Sequence, residues 1–167
     1  MTSYAACTAP AGLRVLRSRV SGRGVFAVRV VEKGEILGQY TGAVSNDPDH
    51  VGPYVLAYVD NGFFHYSVDS SEDPCSRRCR TIELDTPAGV LSFTPKEQKP
   101  NWTRFINSVA PSRTDGTRVA PGHRNRINVA FALGPDHKLY VCATRTICAS
   151  VGSPKELLAW YGSDYWE

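Results

Sequence analysis

An amide closes an otherwise apolar run in RFINSVAP, where Asn107 follows Phe105 and Ile106 and precedes Ser108. A buried amide is costly unless its two N–H donors and its oxygen find partners. Those partners are either backbone elsewhere in the fold or a bound small molecule. A second feature is SGRGVFA (residues 21–27), where Gly22 and Gly24 flank Arg23 at the start of an apolar run that continues through Val25. Paired glycines let backbone approach a ligand closely, or make a tight turn between strands, and the turn is the commoner use. There is no third glycine and no following helix signal, so this is not a dinucleotide fingerprint. Two tyrosines end apolar runs, Tyr40 in GQYTG and Tyr161 in ELLAWYG. Each is core packing or a site hydroxyl. The four histidines lie in unrelated contexts, and no nucleophile elbow, phosphate loop or carboxylate pair is present.

The elements that must position these residues read as short strands. LRVLRS, GVFAVRVV, EILGQYTGAV, YVLAYV, FFHYSVD, GVLSF, RINVAFAL and KLYVCATRTI are rich in Val, Ile, Tyr and Phe. Glycine, proline and aspartate separate them, and LGPDHKLY predicts a hairpin turn between RINVAFAL and KLYVCATR. NWTRFIN places Trp102, Phe105 and Ile106 at helical spacing and predicts a short helix. KELLAWYG fits a helical turn or a strand. Two polar stretches, residues 70–101 and 112–126, read as surface loops inserted in the strand scaffold, the first holding GVLSF as its single short apolar run. The fold class expected is mainly β with a few short helices.

The chain has 167 residues, enough for one domain with a core that needs no metal or disulfide staple. Its net charge of +3 is mild and argues against a dedicated nucleic-acid binder, which carries a stronger basic stripe. The five cysteines are irregularly spaced. Only Cys75 and Cys79, in CSRRC, are close, and no second pair completes a zinc site. The sequence shows no N-terminal signal-like apolar region and no run near 18 apolar residues, so reduced thiols in an intracellular protein are expected.

Taken in order, GRGVFA, KGEILGQYTG, NWTRFIN, INVAFA and ATRTI followed by KELLAWYG resemble the SET domain, the lysine methyltransferase fold, and most closely its PR subtype. The resemblance covers residues 12–165 of a single domain spanning 1–167. It implies a β-clip of small sheets with a knot-like C-terminal crossing. It also implies S-adenosylmethionine as cofactor, held by the backbone of Arg23, Gly24 and Val25, by Asn107 with Ser108, and by Tyr54 nearby. Tyr161 matches the family's catalytic tyrosine, and Tyr40 a tyrosine lining the lysine channel. The sequence departs from the family where Ser108 replaces the histidine that commonly follows the asparagine. It carries no cysteine-rich zinc cluster around the domain. The second channel tyrosine falls nearest Tyr140 or Val141.

The chemistry so implied is in-line methyl transfer, which is orientation more than acid–base work. A lysine amine must be neutral to attack, and lysine loses its proton readily when desolvated. That accounts for the lack of a His/Asp/Glu constellation. The implied substrate is a lysine-containing peptide, a histone tail, laid along a strand edge, which places the protein in the nucleus. A basic tail wants a locally acidic cleft, for which Asp60, Asp69, Glu72 and Asp73 are candidates. Direct nucleic-acid binding, membrane association and a bound metal are not expected, and the sequence leaves oligomeric state open. The alternative reading is a catalytically weak or inactive PR-like module that binds a partner protein.

Overall fold

A computed structural model describes residues 9–20, 22–52, 54–71, 80–108 and 124–160. Thirteen strands follow one another: β1 (Leu13–Arg17), β2 (Arg23–Ala27), β3 (Ile36–Gln39), β4 (Ala43–Ser45), β5 (Val55–Asp60), β6 (Phe63–Asp69), β7 (Ile82–Thr86), β8 (Gly89–Phe93), β9 (Asn107–Ser108), β10 (Val129–Leu133), β11 (Leu139–Ala143), β12 (Lys155–Glu156) and β13 (Leu158–Ala159). Two 3-10 turns, Trp102–Phe105 and Arg124–Arg126, are the helical elements among the described residues. The mainly β reading of the sequence holds, and the short helix expected in NWTRFIN is the first of those turns.

The described residues fall into two compact units. The first lies within residues 39–104 and 133–139. Its sheet has the order β4-β6-β5, antiparallel throughout, beside a β7–β8 hairpin. Tyr66 is fully buried and meets Tyr58 and Phe93 edge to face, with ring centroids 5.9 and 5.5 Å apart. Such edge contacts suit the ring quadrupoles. The Tyr66 hydroxyl donates to the His137 carbonyl at 2.8 Å, so the ring's polar end is satisfied too. The β7–β8 hairpin corrects the reading of residues 70–101 as a surface loop. IELDT alternates apolar and charged residues, pairs with GVLSF and buries Leu84.

The second unit lies within residues 9–38, 105–132 and 140–160. A sheet of order β1-β2-β12 carries antiparallel pairs Val15↔Val25, Leu16↔Gly24 and Glu156↔Phe26. β11 lies between β10 and β3; the turn joining β10 to β11 belongs to the first unit and is closed by Gly134 N–H donating to Lys138 O at 2.8 Å, as LGPDHKLY predicts. β9 and β13 run parallel, with Leu158 opposite Asn107 and Ala159 opposite Ser108. KELLA is therefore strand, which settles the choice that its length left open. Val25, Val31, Val129, Val141 and Leu157 are fully buried here.

Candidate functional site

In the second unit three segments far apart in sequence meet at one carboxylate. Glu156 lies on β12, next to β2. Its Oε1 and Oε2 accept from the Ser18 hydroxyl at 2.8 and 2.9 Å, and its Oε2 also accepts from Asn107 Nδ2 at 2.9 Å. The same Asn107 nitrogen donates to the Arg23 carbonyl at 3.0 Å. Both amide hydrogens of Asn107 are thus spent on this chain's own backbone and carboxylate. The clasp ties the β1–β2 hairpin to β9 and β12, and it explains Gly24. A Cβ built there would stand 2.3 Å from Glu156 Oε2 and 3.1 Å from Ser18 Cβ, so only glycine lets the carboxylate lie against β2.

A second amide locks the same region. Asn128 is buried; its Nδ2 donates to the Glu156 carbonyl at 2.9 Å and its Oδ1 accepts from Leu158 N–H at 2.8 Å. One side chain thereby completes the backbone bonding of the link between β12 and β13, where Leu157 N–H already donates to Val25 O at 2.8 Å. Neither Glu156 nor Asn128 was singled out in the sequence. The available signal was a lone polar residue at the edge of each apolar run, KELLA and INVAFA.

The expected cofactor residues of this unit are brought together. Arg23 is exposed at the start of β2, Gly24 and Val25 are buried behind it, and Asn107 with the buried Ser108 forms β9. Beside them an open surface groove of about 580 Å³ is lined by Val15, Leu16, Arg17, Gly22 and Arg23. That volume lies within the range of small-molecule sites, and a Cβ at Gly22 would meet nothing within 4 Å. The exposed Arg23 guanidinium is matched in charge to the carboxylate of an amino-acid-like ligand. Arg23 at this groove could meet the carboxylate of S-adenosylmethionine, whereas the Asn107 amide hydrogens are already taken within the chain.

In the first unit Tyr40 and Tyr54 are joined. Tyr40 is buried, and its hydroxyl donates to the Tyr54 carbonyl at 2.7 Å. That carbonyl also accepts from Ser70 N–H at 3.0 Å. The Tyr54 ring is 38% exposed and carries the Arg104 guanidinium 4.9 Å from its centroid, a cation–π contact. Of the two positions nearest the second channel tyrosine, Val141 is fully buried and Tyr140 is half-buried on β11. Tyr161, Glu72, Asp73, Cys75 and Cys79 lie outside the described residues.

Asp69 is occupied. Burial alone would raise its pKa, but bonds from the Ser71 hydroxyl and amide and from His50, whose Nε2 is 2.7 Å away, outweigh it and lower the carboxyl. Glu97 repeats the pattern: burial opposes, and Lys138, Thr94 and Gln39 together lower it. Asp60 is exposed at the β5–β6 turn.

No protein-family model and no curated protein matches the sequence. Solved structures do. A SET8 protein from Cryptosporidium superposes with a TM-score of 0.52 at 18% identity, over 90% of this chain and 57% of that one. The ATXR5 SET domain, in complex with a di-methylated histone H3, gives 0.50 at 16% identity, over 90% and 57%. The chain has the SET-domain fold. The methyltransferase domain of human PR domain-containing protein 2 gives 0.48 at 18% identity, over 92% of this chain and 78% of that one. The chain spans just over half the length of the SET8 and ATXR5 chains, and the likeness is one of fold. The parallel β9–β13 pair joins the end of NWTRFIN to KELLA, and the clasp on Glu156 lies beside it.

Proposed function

We propose that the chain is an S-adenosylmethionine-dependent protein-lysine N-methyltransferase acting on histone tails, and hence a nuclear protein. The observation that carries the reading is the convergence of β2, β9 and β12 on one clasp beside an open groove, within a SET fold. When bound, the cofactor supplies an electrophilic methyl group on a sulfonium. The chain's part is to hold and align. Arg23 offers a cation to the cofactor's carboxylate. Asn107 fixes the Arg23 carbonyl and so the path of β2 along the groove. Tyr40 is anchored through its hydroxyl to the Tyr54 backbone, which gives its ring one orientation for lining a lysine channel. A phenol that donates one bond can still accept, so an amine can be oriented there. Tyr161 is assigned the oriented hydroxyl of the transfer step.

Mixed histones incubated with enzyme and a labelled methyl donor test this directly, with label expected on lysine. Asn107→Ala leaves the Arg23 carbonyl and Glu156 without that amide, which should loosen β2 beside the groove and weaken S-adenosylmethionine binding by about 1–3 kcal/mol. Unchanged affinity in a folded variant removes Asn107 from the cofactor site.

A second reading has its own support. The Asn107 amide hydrogens and the carbonyls of Arg23 and Val25 are all satisfied within the chain, so the clasp closes without a ligand. That suits a PR-like module that binds a protein partner. Calorimetry with S-adenosylmethionine separates the two, since the module reading expects no binding.

A further inference from the structure

One residue steadies Tyr40 at both ends. The Tyr40 hydroxyl donates to the Tyr54 carbonyl at 2.7 Å, and Ser70 N–H donates to the same carbonyl at 3.0 Å. The Ser70 hydroxyl donates, at 2.9 Å, to the carbonyl of Thr41, the residue after Tyr40. Ser70 is fully buried, and Tyr40 and Thr41 are buried too. All four residues belong to the first unit.

The backbone leading into Tyr40 is held without Ser70. Gln39 O accepts from Asn101 Nδ2 at 2.9 Å, and Tyr40 N–H donates to Leu139 O at 2.9 Å. Beyond Tyr40 the chain lies directly against residues 69 and 70. A Cβ at Gly42 would stand 2.2 Å from Asp69 O and 3.0 Å from Ser70 Cα, so glycine permits the approach. The Thr41 hydroxyl is buried with no partner among the described residues, so its side chain adds no anchor there. The Ser70 hydroxyl thus ties the backbone after Tyr40 to the residue whose N–H steadies the phenol's acceptor. Alanine at this position would take a donor from a buried carbonyl, which is costly.

We infer that Ser70 is a positioning residue for Tyr40, fixing together the backbone from which the ring extends and the carbonyl that receives its hydroxyl. The consequence for chemistry rests on the reading of Tyr40 as lining a lysine channel. A backbone carbonyl has two lone pairs, and that of Tyr54 takes one bond from Tyr40 and one from Ser70. With its proton committed there, the phenol oxygen faces an incoming amine as an acceptor. An amine that donates one N–H to it keeps its own lone pair for the electrophile. In-line transfer depends on that orientation, and displacing a reacting group by 1 Å costs about 100-fold in rate. Ser70 need touch neither substrate nor cofactor, since it acts through the phenol.

The test uses the full chain with ring-labelled tyrosine, followed by NMR and by methylation of histone-tail peptides. Ser70→Ala should shift or broaden the Tyr40 ring signals, which are identified by their loss in Tyr40→Phe. It should leave those of Tyr66, held separately by the His137 carbonyl, in place. Tyr40→Phe removes one of the two donors on Tyr54 O and should move the Ser70 amide proton; this variant keeps the serine, so it answers even where Ser70→Ala does not fold. In turnover, Ser70→Ala should lower kcat by about 10- to 100-fold with KM within a few-fold. The double variant should turn over no more slowly than Tyr40→Phe alone, whereas a merely structural serine lowers both backgrounds equally. That equal fall overturns the inference, as do unchanged Tyr40 signals in folded Ser70→Ala or an unmoved Ser70 amide in Tyr40→Phe. A parent chain that transfers no methyl group while both NMR effects are present supports the coupling and refutes the methyltransferase reading instead.

Discussion

Gly24→Ala probes the clasp with a single methyl group. Gly24 sits in an ordinary strand conformation opposite Leu16, so alanine brings no backbone strain. Elsewhere in a strand the change would stabilise by about 0.5–1 kcal/mol, since glycine loses more freedom on folding. Here the new Cβ would lie 2.3 Å from Glu156 Oε2 and 2.9 Å from its Cδ. The carboxylate must swing away and give up its bonds to Ser18 and Asn107. Losing charge-assisted bonds of this kind costs about 1–3 kcal/mol, more than the strand gain. Gly24→Ala should therefore destabilise the parent, by about 2–4 °C in melting temperature for each kcal/mol in a chain of this size. In a Glu156→Ala background the obstacle is gone and the sign should reverse, with alanine stabilising. Urea unfolding of the four proteins gives the coupling energy, expected at about 1–3 kcal/mol. Equal effects of Gly24→Ala in both backgrounds would refute the reasoning, because the methyl group would then not be competing with that carboxylate.

Tyr161→Phe keeps a ring and removes a hydroxyl, so melting temperature and cofactor affinity should hold while turnover falls on the order of 10²-fold or more; a stable variant that methylates at the parent rate removes Tyr161 from the mechanism. Asp69 and Glu97 both have carboxyls lowered in the folded chain, so their contribution to stability is present above the unfolded carboxyl value, near 4, and is lost as pH falls through the lower folded values. Glu97→Gln should accordingly flatten the acid limb of a stability–pH curve, and an unchanged limb would show that Glu97 is not a contributor. Metal analysis of purified protein should find well under one zinc per chain, because Cys75 and Cys79 alone leave zinc short of ligands; stoichiometric zinc lost on Cys75→Ser would reverse that assignment.

The strands were legible because their composition and punctuation agree with their surroundings. FFHYSVD and YVLAYV pair as β6 and β5 around the Asn61–Gly62 turn, where Asn61 adopts φ 50° and Gly62 φ 78°. β7 was missed for a reason visible in its residues. IELDT places Glu83 and Asp85 on its exposed positions, and the charges hide an alternation that buries Leu84.

The site was legible only in halves. Asn107 raised the correct question, but its partners are 84 residues away at Arg23 and 49 residues away at Glu156, and no local pattern links them. Ser18 is 138 residues from the carboxylate it holds. Glu156 looked like an ordinary strand-edge charge, and Gly24 like half of a tight turn. Each is explained only by the other, since the glycine is needed where the carboxylate lies and the carboxylate is held because the glycine makes room. A residue type chosen for a neighbour far along the chain leaves no trace in spacing. Where an unexplained small residue and an unexplained charge occur on strands expected to pair, their direct contact is the reading to test first.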